Sequence, residues 1–78
     1  MPSHLKDQFL RSSSSVALNL SEGSAKPTFA DRRKFYFIAL GSLRESQTIL
    51  RLTYPQSALA ETADFLGICV YRLCKSTS

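Results

Sequence analysis

The sequence has few of the side chains from which catalytic sites are built. Its 78 residues include no tryptophan, two cysteines and one histidine, His4. That histidine lies near the terminus, and no serine has the sequence context of a nucleophile elbow. Glu22 and Glu45 are candidates for an acid and base pair, but surface or capping roles are commoner for two carboxylates in a small helical protein. We therefore predict that the chain is not an enzyme and has no cofactor.

Cysteine is scarce as well. Cys69 and Cys74 lie five residues apart in a predicted helix, which directs their side chains about 140° apart. This spacing disfavours a disulfide within the helix. Because His4 is distant in the sequence, no plausible tetrahedral metal site is present either. Both cysteines are interpreted as buried structural thiols.

Long apolar runs are also missing. The longest candidate, residues 35–43, contains Gly41 and Ser42, so no membrane span is predicted. Residues 1–11 mix charged and isolated apolar side chains and lack the apolar core of a signal peptide. The expected location is therefore cytoplasmic, with no membrane partner.

What the sequence does contain is enough apolar residues for a core and a moderate excess of positive charge. Hydrophobic residues make up 44% of the chain, and ten Lys and Arg residues outnumber six Asp and Glu residues to give a net charge of +4. A chain of this length forms one domain, residues 1–78. The charge is compatible with binding nucleic acid or an acidic protein, and the alternative is a charge that only keeps the protein in solution.

Apolar residues repeat every three or four positions in three segments, which predicts helices over residues 3–22, 29–53 and 56–74. The expected fold class is all-α, an antiparallel up-and-down helical bundle with three helices per chain. In the first helix the apolar stripe passes through the serine run at residues 12–15, where a break is the competing interpretation. Gly23 is predicted to be a left-handed cap, and Pro27 prevents the helix from continuing. The stripe of this first helix consists of Leu5, Phe9, Val16, Ala17 and Leu20.

The second predicted helix has the widest apolar surface. Thr28 and Asp31 form a capping pattern at its start. Its two rows of inward-facing residues span roughly half of the circumference at about 100° per residue, so we expect neighbours on two sides. Gly41 indicates close packing against another helix. Ile38 and Leu52 fall outside both rows, and such exposed apolar residues suggest an interface. The rows are Tyr36, Leu40, Leu43, Gln47 and Leu50, and beside them Phe35, Ala39, Ser42, Ser46 and Ile49.

The third predicted helix follows a turn at Tyr54 and Pro55. Its apolar stripe again has spacings of three and four residues, whereas Glu61, Asp64 and Arg72 lie mostly off that line. Residues 75–78 are expected to fray. The stripe consists of Leu59, Ala63, Leu66, Val70 and Leu73.

One face of the second helix concentrates positive charge. Arg33, Arg44 and Arg51 fall within about 20° of one another on a helical wheel, with Phe37 nearby. A basic stripe with an aromatic neighbour can follow a phosphate backbone. The alternative is an ordinary solvated helix face. The candidate nucleic-acid-binding residues are Lys26, Arg32, Arg33, Lys34, Arg44 and Arg51.

Several short motifs together resemble one protein family. They are residues 8–11 (QFLR), 16–23 (VALNLSEG) and 38–45 (IALGSLRE). They resemble the four-helix-bundle proteins encoded in intervening sequences of bacterial 23S ribosomal RNA genes. That family is similar in turn to the accessory variability protein of diversity-generating retroelements. Its members share an Asn-x-x-Glu-Gly helix end, here Asn19, Glu22 and Gly23, and an Ala-Leu-Gly-Ser segment containing Gly41.

The resemblance covers residues 5–73 and implies an up-and-down bundle that forms a ring-like homo-oligomer, a pentamer in known relatives, without established enzymatic activity. For the retroelement branch it implies binding to nucleic acid and to a reverse transcriptase. The family usually has an additional helix before the first one predicted here, so the resemblance implies that the first helix is missing. Copies of the chain, or a protein partner that supplies the missing helix, are then expected to cover the second helix. Within the motif, Asn19 and Glu22 are interpreted as hydrogen-bond anchors to the next loop, and Gly23 as a cap.

Two functional hypotheses follow. The first is a non-enzymatic helical assembly protein that self-associates through the apolar faces of the second and third helices. The second is a nucleic-acid-binding accessory module that uses the basic face.

Overall fold

Three antiparallel helices form the fold of this computed structural model, which describes residues 1–77. Helix α1 spans Ser3–Ala25, α2 spans Phe29–Thr53 and α3 spans Ala58–Ser76. The Cα atoms extend over 40 × 20 × 13 Å. The all-α prediction is confirmed, and the bounds of α2 are the predicted ones. None of the three helices has the length and apolarity of a membrane-spanning segment within residues 1–77.

Helix α1 continues through its serine run, which confirms the helical interpretation over a break. The hydroxyl of Ser13 donates to the carbonyl of Phe9 at 2.7 Å, and that of Ser12 donates to the same carbonyl at 3.2 Å. These serines therefore satisfy their hydroxyls on the preceding turn without leaving the helix. Ser12, and not Ser13 as the apolar stripe implied, is the buried residue at this level.

The prediction of a left-handed cap at Gly23 is wrong. Gly23 lies inside α1, and no glycine within residues 1–77 has a positive φ. The helix ends at Ala25 because Lys26 precedes Pro27 and takes an extended conformation, with φ −80° and ψ 141°. Gly23 instead faces the Tyr36 ring, whose Cε1 atom would lie 2.7 Å from an added Cβ. Its role is to let α1 approach α2.

Side-chain caps define the starts of the other two helices. The Thr28 hydroxyl accepts a hydrogen bond from the Asp31 amide at 3.2 Å, as the capping pattern predicted. The Ser57 hydroxyl accepts one from the Ala60 amide at 3.1 Å, so α3 begins at Ala58, two residues later than predicted.

Helix α2 lies in the middle, with α1 on one side and α3 on the other. No Cα atom of α1 comes within 8 Å of a Cα atom of α3. The prediction that α2 has neighbours on two sides is therefore confirmed, and Ile38 and Leu52 are exposed as expected, at 44% and 73%. The buried residues of α2 are Tyr36, Ala39, Leu40, Leu43, Ser46, Ile49 and Leu50.

Gly41 does not have the predicted packing role. It is exposed, and an added Cβ would have no heavy atom within 4 Å among residues 1–77. Close approach of helices occurs instead at Gly23 and at Gly67, where an added Cβ would lie 2.7 Å from Nε2 of Gln47.

The buried side of α3 differs from the predicted stripe. Ala63 and Val70 are buried as expected, but Leu59, Leu66 and Leu73 are exposed at 53%, 41% and 39%. Ala60 and Cys74 take their place in the core, so the helix is rotated toward its small residues. The large leucines consequently form a ridge beside α2.

The C-terminal end is more ordered than predicted. Helix α3 continues to Ser76, and the Thr77 hydroxyl donates to the Cys74 carbonyl at 2.9 Å. The fraying expected for residues 75–78 is thus wrong up to Thr77, and Ser78 lies outside the described residues. Cys74 is a buried free thiol, as predicted, whereas the free thiol of Cys69 is only half-buried.

Candidate functional site

An apolar groove runs between α1 and α3 and has α2 as its floor. Its volume is about 160 Å³. The walls contain Phe9 and Val16 on one side and Leu59 and Leu66 on the other, and none of the lining residues is charged. The groove exists because α1 and α3 contact α2 but do not contact each other closely. The lining residues are Phe9, Ser13, Val16, Leu43, Ser46, Leu50, Leu59, Thr62, Ala63 and Leu66.

The leucine ridge of α3 extends this apolar surface. Leu59, Leu66 and Leu73 repeat at seven-residue intervals and therefore lie almost in line along the helix. Phe65, next to Leu66, is 66% exposed. Isolated exposed apolar residues are ordinary, but a contiguous apolar strip without charge is typical of an interaction surface.

A second concavity, the arginine cleft, lies between α2 and α3 and has a volume of about 470 Å³. Arg44 and Arg51 line it from α2, as two of the six predicted basic residues. Arg72 and Tyr71 line it from α3, and sequence reasoning had assigned neither of them to a site. Only the antiparallel pairing of α3 with α2 brings the two pairs together. The lining residues are Leu40, Arg44, Gln47, Arg51, Asp64, Gly67, Ile68, Tyr71 and Arg72.

The cleft has an excess of positive charge. Its single carboxylate, Asp64, is 3.4 Å from both Nη2 of Arg51 and Nε2 of Gln47. Both partners of this ion pair are more than half exposed, so the pair contributes little to stability. Within residues 1–77, Arg44 and Arg72 have no ion-pair partner. Two guanidinium groups are therefore available to an anionic ligand.

Aromatic and aliphatic surface lies beside these charges. Tyr71 is 46% exposed and Ile68 is 53% exposed. The ammonium of Lys75 is 5.6 Å from the centroid of the Tyr71 ring, within the range of a cation–π contact. The cleft thus combines cationic groups with an accessible ring.

The other four predicted basic residues lie around the α1–α2 turn and contact phenylalanine rings. Lys26 and Lys34 lie 5.2 and 5.8 Å from the Phe35 centroid. Arg32 donates to the Lys26 carbonyl at 2.6 Å, and its guanidinium carbon is 5.9 Å from the Phe29 centroid. Arg33 similarly lies 5.5 Å from the centroid of Phe37. The six candidates therefore form two groups, and the structure brings only Arg44 and Arg51 into the arginine cleft.

Outside the cleft, the titratable side chains of interest are potential metal ligands and the Cys74 thiol. Within residues 1–77, no three His, Cys, Asp or Glu side chains are arranged to hold a metal ion. Burial raises the pKa of the Cys74 thiol above its ordinary value of 9.0, although its backbone hydrogen bond and the nearby charges of Arg33 and Arg44 act in the opposite direction. Cys74 therefore remains a protonated thiol at neutral pH.

Comparison with protein families identifies the family of this chain. A family model described as 23S rRNA-intervening sequence protein matches residues 2–72. The chain belongs to this family. No curated protein and no solved structure matches it. The match includes all of α1 and α2 and most of α3, so both the groove and the arginine cleft lie within the family region.

The two sequence signatures of this 23S rRNA-intervening sequence protein meet at the α1–α2 contact. The Asn19 side chain donates to the Ser15 carbonyl at 2.8 Å and to the Ser15 hydroxyl at 3.1 Å. The Ser15 hydroxyl in turn hydrogen-bonds to that of Ser42, at 2.8 Å, in the Ala-Leu-Gly-Ser segment. Ser15 therefore connects the two helices, and Asn19 bonds to Ser15 and does not anchor the next loop, which corrects the prediction.

Glu22 forms an ion pair at the end of α1, and its predicted hydrogen bond to the next loop stays a prediction. Its carboxylate is 3.8 Å from the ammonium of Lys26, which is the residue immediately after α1. Gly23 of the first signature and Ser42 of the second therefore lie at the α1–α2 contact, whereas Gly41 is exposed.

Proposed function

We propose that this chain is a non-enzymatic module that assembles with copies of itself through the apolar groove and the leucine ridge. The supporting observation is the separation of α1 from α3, which leaves the uncharged apolar groove above α2. Removing a leucine side chain from water contributes on the order of 1.5–3 kcal/mol. A surface with several such residues and no charge favours association.

A second copy is the occupant that best fits this surface. The ridge of Leu59, Leu66 and Leu73 lies beside the apolar groove. Ridges on one helix commonly pack into grooves on another, so the ridge of one copy can fill the groove of a second. Two copies related by a twofold axis can place each ridge in the groove of the other, which uses one self-complementary surface twice. We place the assembly in the cytoplasm, since both cysteines are free thiols and a reducing compartment preserves them.

Sedimentation equilibrium from low to high micromolar protein tests this proposal. We expect concentration-dependent oligomers for the natural chain and a shift toward monomer for Leu66→Asp, because the new carboxylate would need to be desolvated in the interface. Leu18→Asp is the matched control. Leu18 is 66% exposed and lies nine residues after Phe9, so it projects about 180° away from the groove side of α1.

Four outcomes discriminate among the alternatives. A strict monomer at high micromolar concentration would refute self-assembly. Equal dissociation by Leu66→Asp and Leu18→Asp would place the interface elsewhere. Leu52→Asp tests the outer face of α2, where Ile38 and Leu52 are exposed, and a larger effect there than at Leu66 would move the interface to that face. A monomer that binds a separate helical protein would support the partner that supplies a missing helix.

The second candidate function is that of a nucleic-acid-binding accessory module. It is favoured by one observation, the convergence of Arg44, Arg51 and Arg72 in a single cleft. Binding through phosphate contacts releases counterions, so affinity falls steeply as salt is raised. A salt titration against generic RNA and DNA tests this function, and no binding at low salt removes it.

A further inference from the structure

The arginine cleft has two features that a purely electrostatic phosphate surface does not need. Tyr71 and Ile68 expose about half of their surfaces beside the arginines. The positive charges also lie inside a concavity between two helices and not on the crest of one helix. Both features point to a ligand with flat apolar faces as well as phosphates.

We propose that the arginine cleft binds an unpaired strand of nucleic acid, with phosphates on Arg44 and Arg72 and a base against Tyr71. This inference rests on the second candidate function and adds the strand type and the residues that select it. In a duplex the faces of the bases are stacked inside the helix and cannot reach a ring on the protein. An unpaired base can stack on an exposed aromatic side chain.

The dimensions and charges of the cleft agree with this ligand. Its volume of about 470 Å³ lies within the range of roughly 300–1,000 Å³ that is usual for small-ligand pockets, which suits a nucleotide-sized unit. Arg44 and Arg51 are seven residues apart, or about 10 Å along the axis of α2, and Arg72 faces them from α3. Arg51 is partly neutralised by Asp64, so Arg44 and Arg72 are the two principal phosphate ligands.

Tyr71 has a cationic neighbour one turn along α3. The Lys75 ammonium at 5.6 Å from its ring places a positive charge next to the stacking surface. An acidic protein would also be attracted to the arginines, but its carboxylates would not stack on the Tyr71 ring.

Fluorescence anisotropy with the full chain provides the test. The probes are a labelled uridine oligomer, the deoxyuridine oligomer of the same length and a duplex of that length, measured at about 50 mM and about 200 mM salt. We expect the single strands to bind at least tenfold more tightly than the duplex. The RNA and DNA probes distinguish the two sources of unpaired strand, and poly-glutamate as competitor detects a site that accepts any polyanion.

Four variants separate stacking from charge. Tyr71→Leu should weaken single-strand binding by roughly five- to one-hundredfold, the range of a lost base–aromatic stack, whereas Tyr71→Phe should retain it. The double variant Arg44→Gln/Arg72→Gln should weaken binding and reduce its salt dependence. Arg11→Gln, an exposed site on α1, is the charge control. Circular dichroism and sedimentation of each variant exclude loss of folding or assembly.

Any one of four results would overturn the inference. Equal affinity for duplex and single strand, or an unchanged affinity in Tyr71→Leu, would leave only a general electrostatic surface and would keep the second candidate function. Absence of any binding at low salt, or equal displacement by poly-glutamate, would remove nucleic-acid recognition altogether. Self-assembly is measured by sedimentation, so its failure can be distinguished from a failure of nucleic-acid binding.

Discussion

The contacts that α2 makes with its two neighbours are built differently. Against α1 it adds hydrogen bonds to apolar packing, with hydroxyl pairs at Ser12–Ser46 and Ser15–Ser42, and the helices approach closely at Gly23. Against α3, Leu50 of α2 packs with Ala60 and Ala63, while the largest apolar side chains of α3 stay outside. Every buried side-chain N or O atom within residues 1–77 has a hydrogen-bond partner. The first contact therefore contains a buried hydroxyl pair, whereas α3 leaves its large apolar side chains exposed.

The largest expected effect comes from the α2–α3 contact. Leu50 is only 1% exposed, and Leu50→Ala should lower the free energy of unfolding by roughly 2–5 kcal/mol through lost burial and the resulting cavity. Leu52→Ala removes the same atoms at a site that is 73% exposed and should change stability by at most about 0.5 kcal/mol. Urea unfolding at one fixed protein concentration measures both. Similar losses in the two variants would mean that the outer face of α2 is covered in solution.

The α1–α2 contact can be probed through its buried hydroxyl pair. Ser12→Ala leaves the Ser46 hydroxyl without its partner at 2.6 Å and should cost about 1–3 kcal/mol. The double variant Ser12→Ala/Ser46→Ala removes both hydroxyls and should be more stable than Ser12→Ala alone. A double-mutant cycle by urea unfolding gives the coupling, and strictly additive losses would argue against a direct hydrogen bond.

For two of the three helical glycines, Gly23 and Gly41, replacement by alanine should change the free energy of unfolding with opposite signs. In Gly23→Ala the new Cβ meets the buried Tyr36 ring at 2.7 Å, and such overpacking costs about 1–3 kcal/mol, more than the gain in helix propensity. In Gly41→Ala nothing lies within 4 Å, so stability should rise by roughly 0.5–1 kcal/mol. Thermal unfolding of both variants checks the difference in sign. A loss of stability in Gly41→Ala would indicate that another molecule packs there.

The smallest expected effect is the contribution of Cys74, in α3, to the pH dependence of the free energy of unfolding. Burial holds the pKa of Cys74 above 9.0, so its proton is bound more tightly in the folded chain than in the unfolded one. The stability from this group is full below pH 9.0 and is lost as pH rises from there through the folded-state pKa. Cys74→Ala should lower stability at neutral pH and flatten its fall above pH 9.0. An unchanged slope in urea titrations across that range would contradict the assignment.

Periodicity predicted the helices and the buried rows of α2, because α2 alternates clearly between apolar and charged positions. It did not predict which side of α3 is buried. Apolar residues surround α3, and the choice between Leu59 and Ala60 depends on how closely α2 approaches. Small residues at Ala60 and Ala63 permit the short distance, so the leucines are displaced outward.

The same reasoning explains what was predicted of the candidate site. Arg44 and Arg51 share a face of one helix, and this follows from residue spacing alone. Arg72 and Tyr71 belong to another helix, and their meeting with Arg44 depends on the register between α2 and α3. The Asp64–Arg51 contact forms between α2 and α3 in that register. The opposite charges of Asp64 and Arg51 were the available sequence signal, but many other pairings were equally consistent with it.

Leu59, in the apolar groove, and Ile68, in the arginine cleft, are nine residues apart and point about 180° from each other on α3. Copies joined along the leucine side would consequently carry their arginines outward, one set per copy. A long flexible polymer touching two such sets would dissociate far more slowly than from one, because release of the first leaves the second engaged. The orientation of α3, with its leucines on one side and its arginine cleft on the other, would in this way allow an oligomer to bind the polymer more tightly than one copy does.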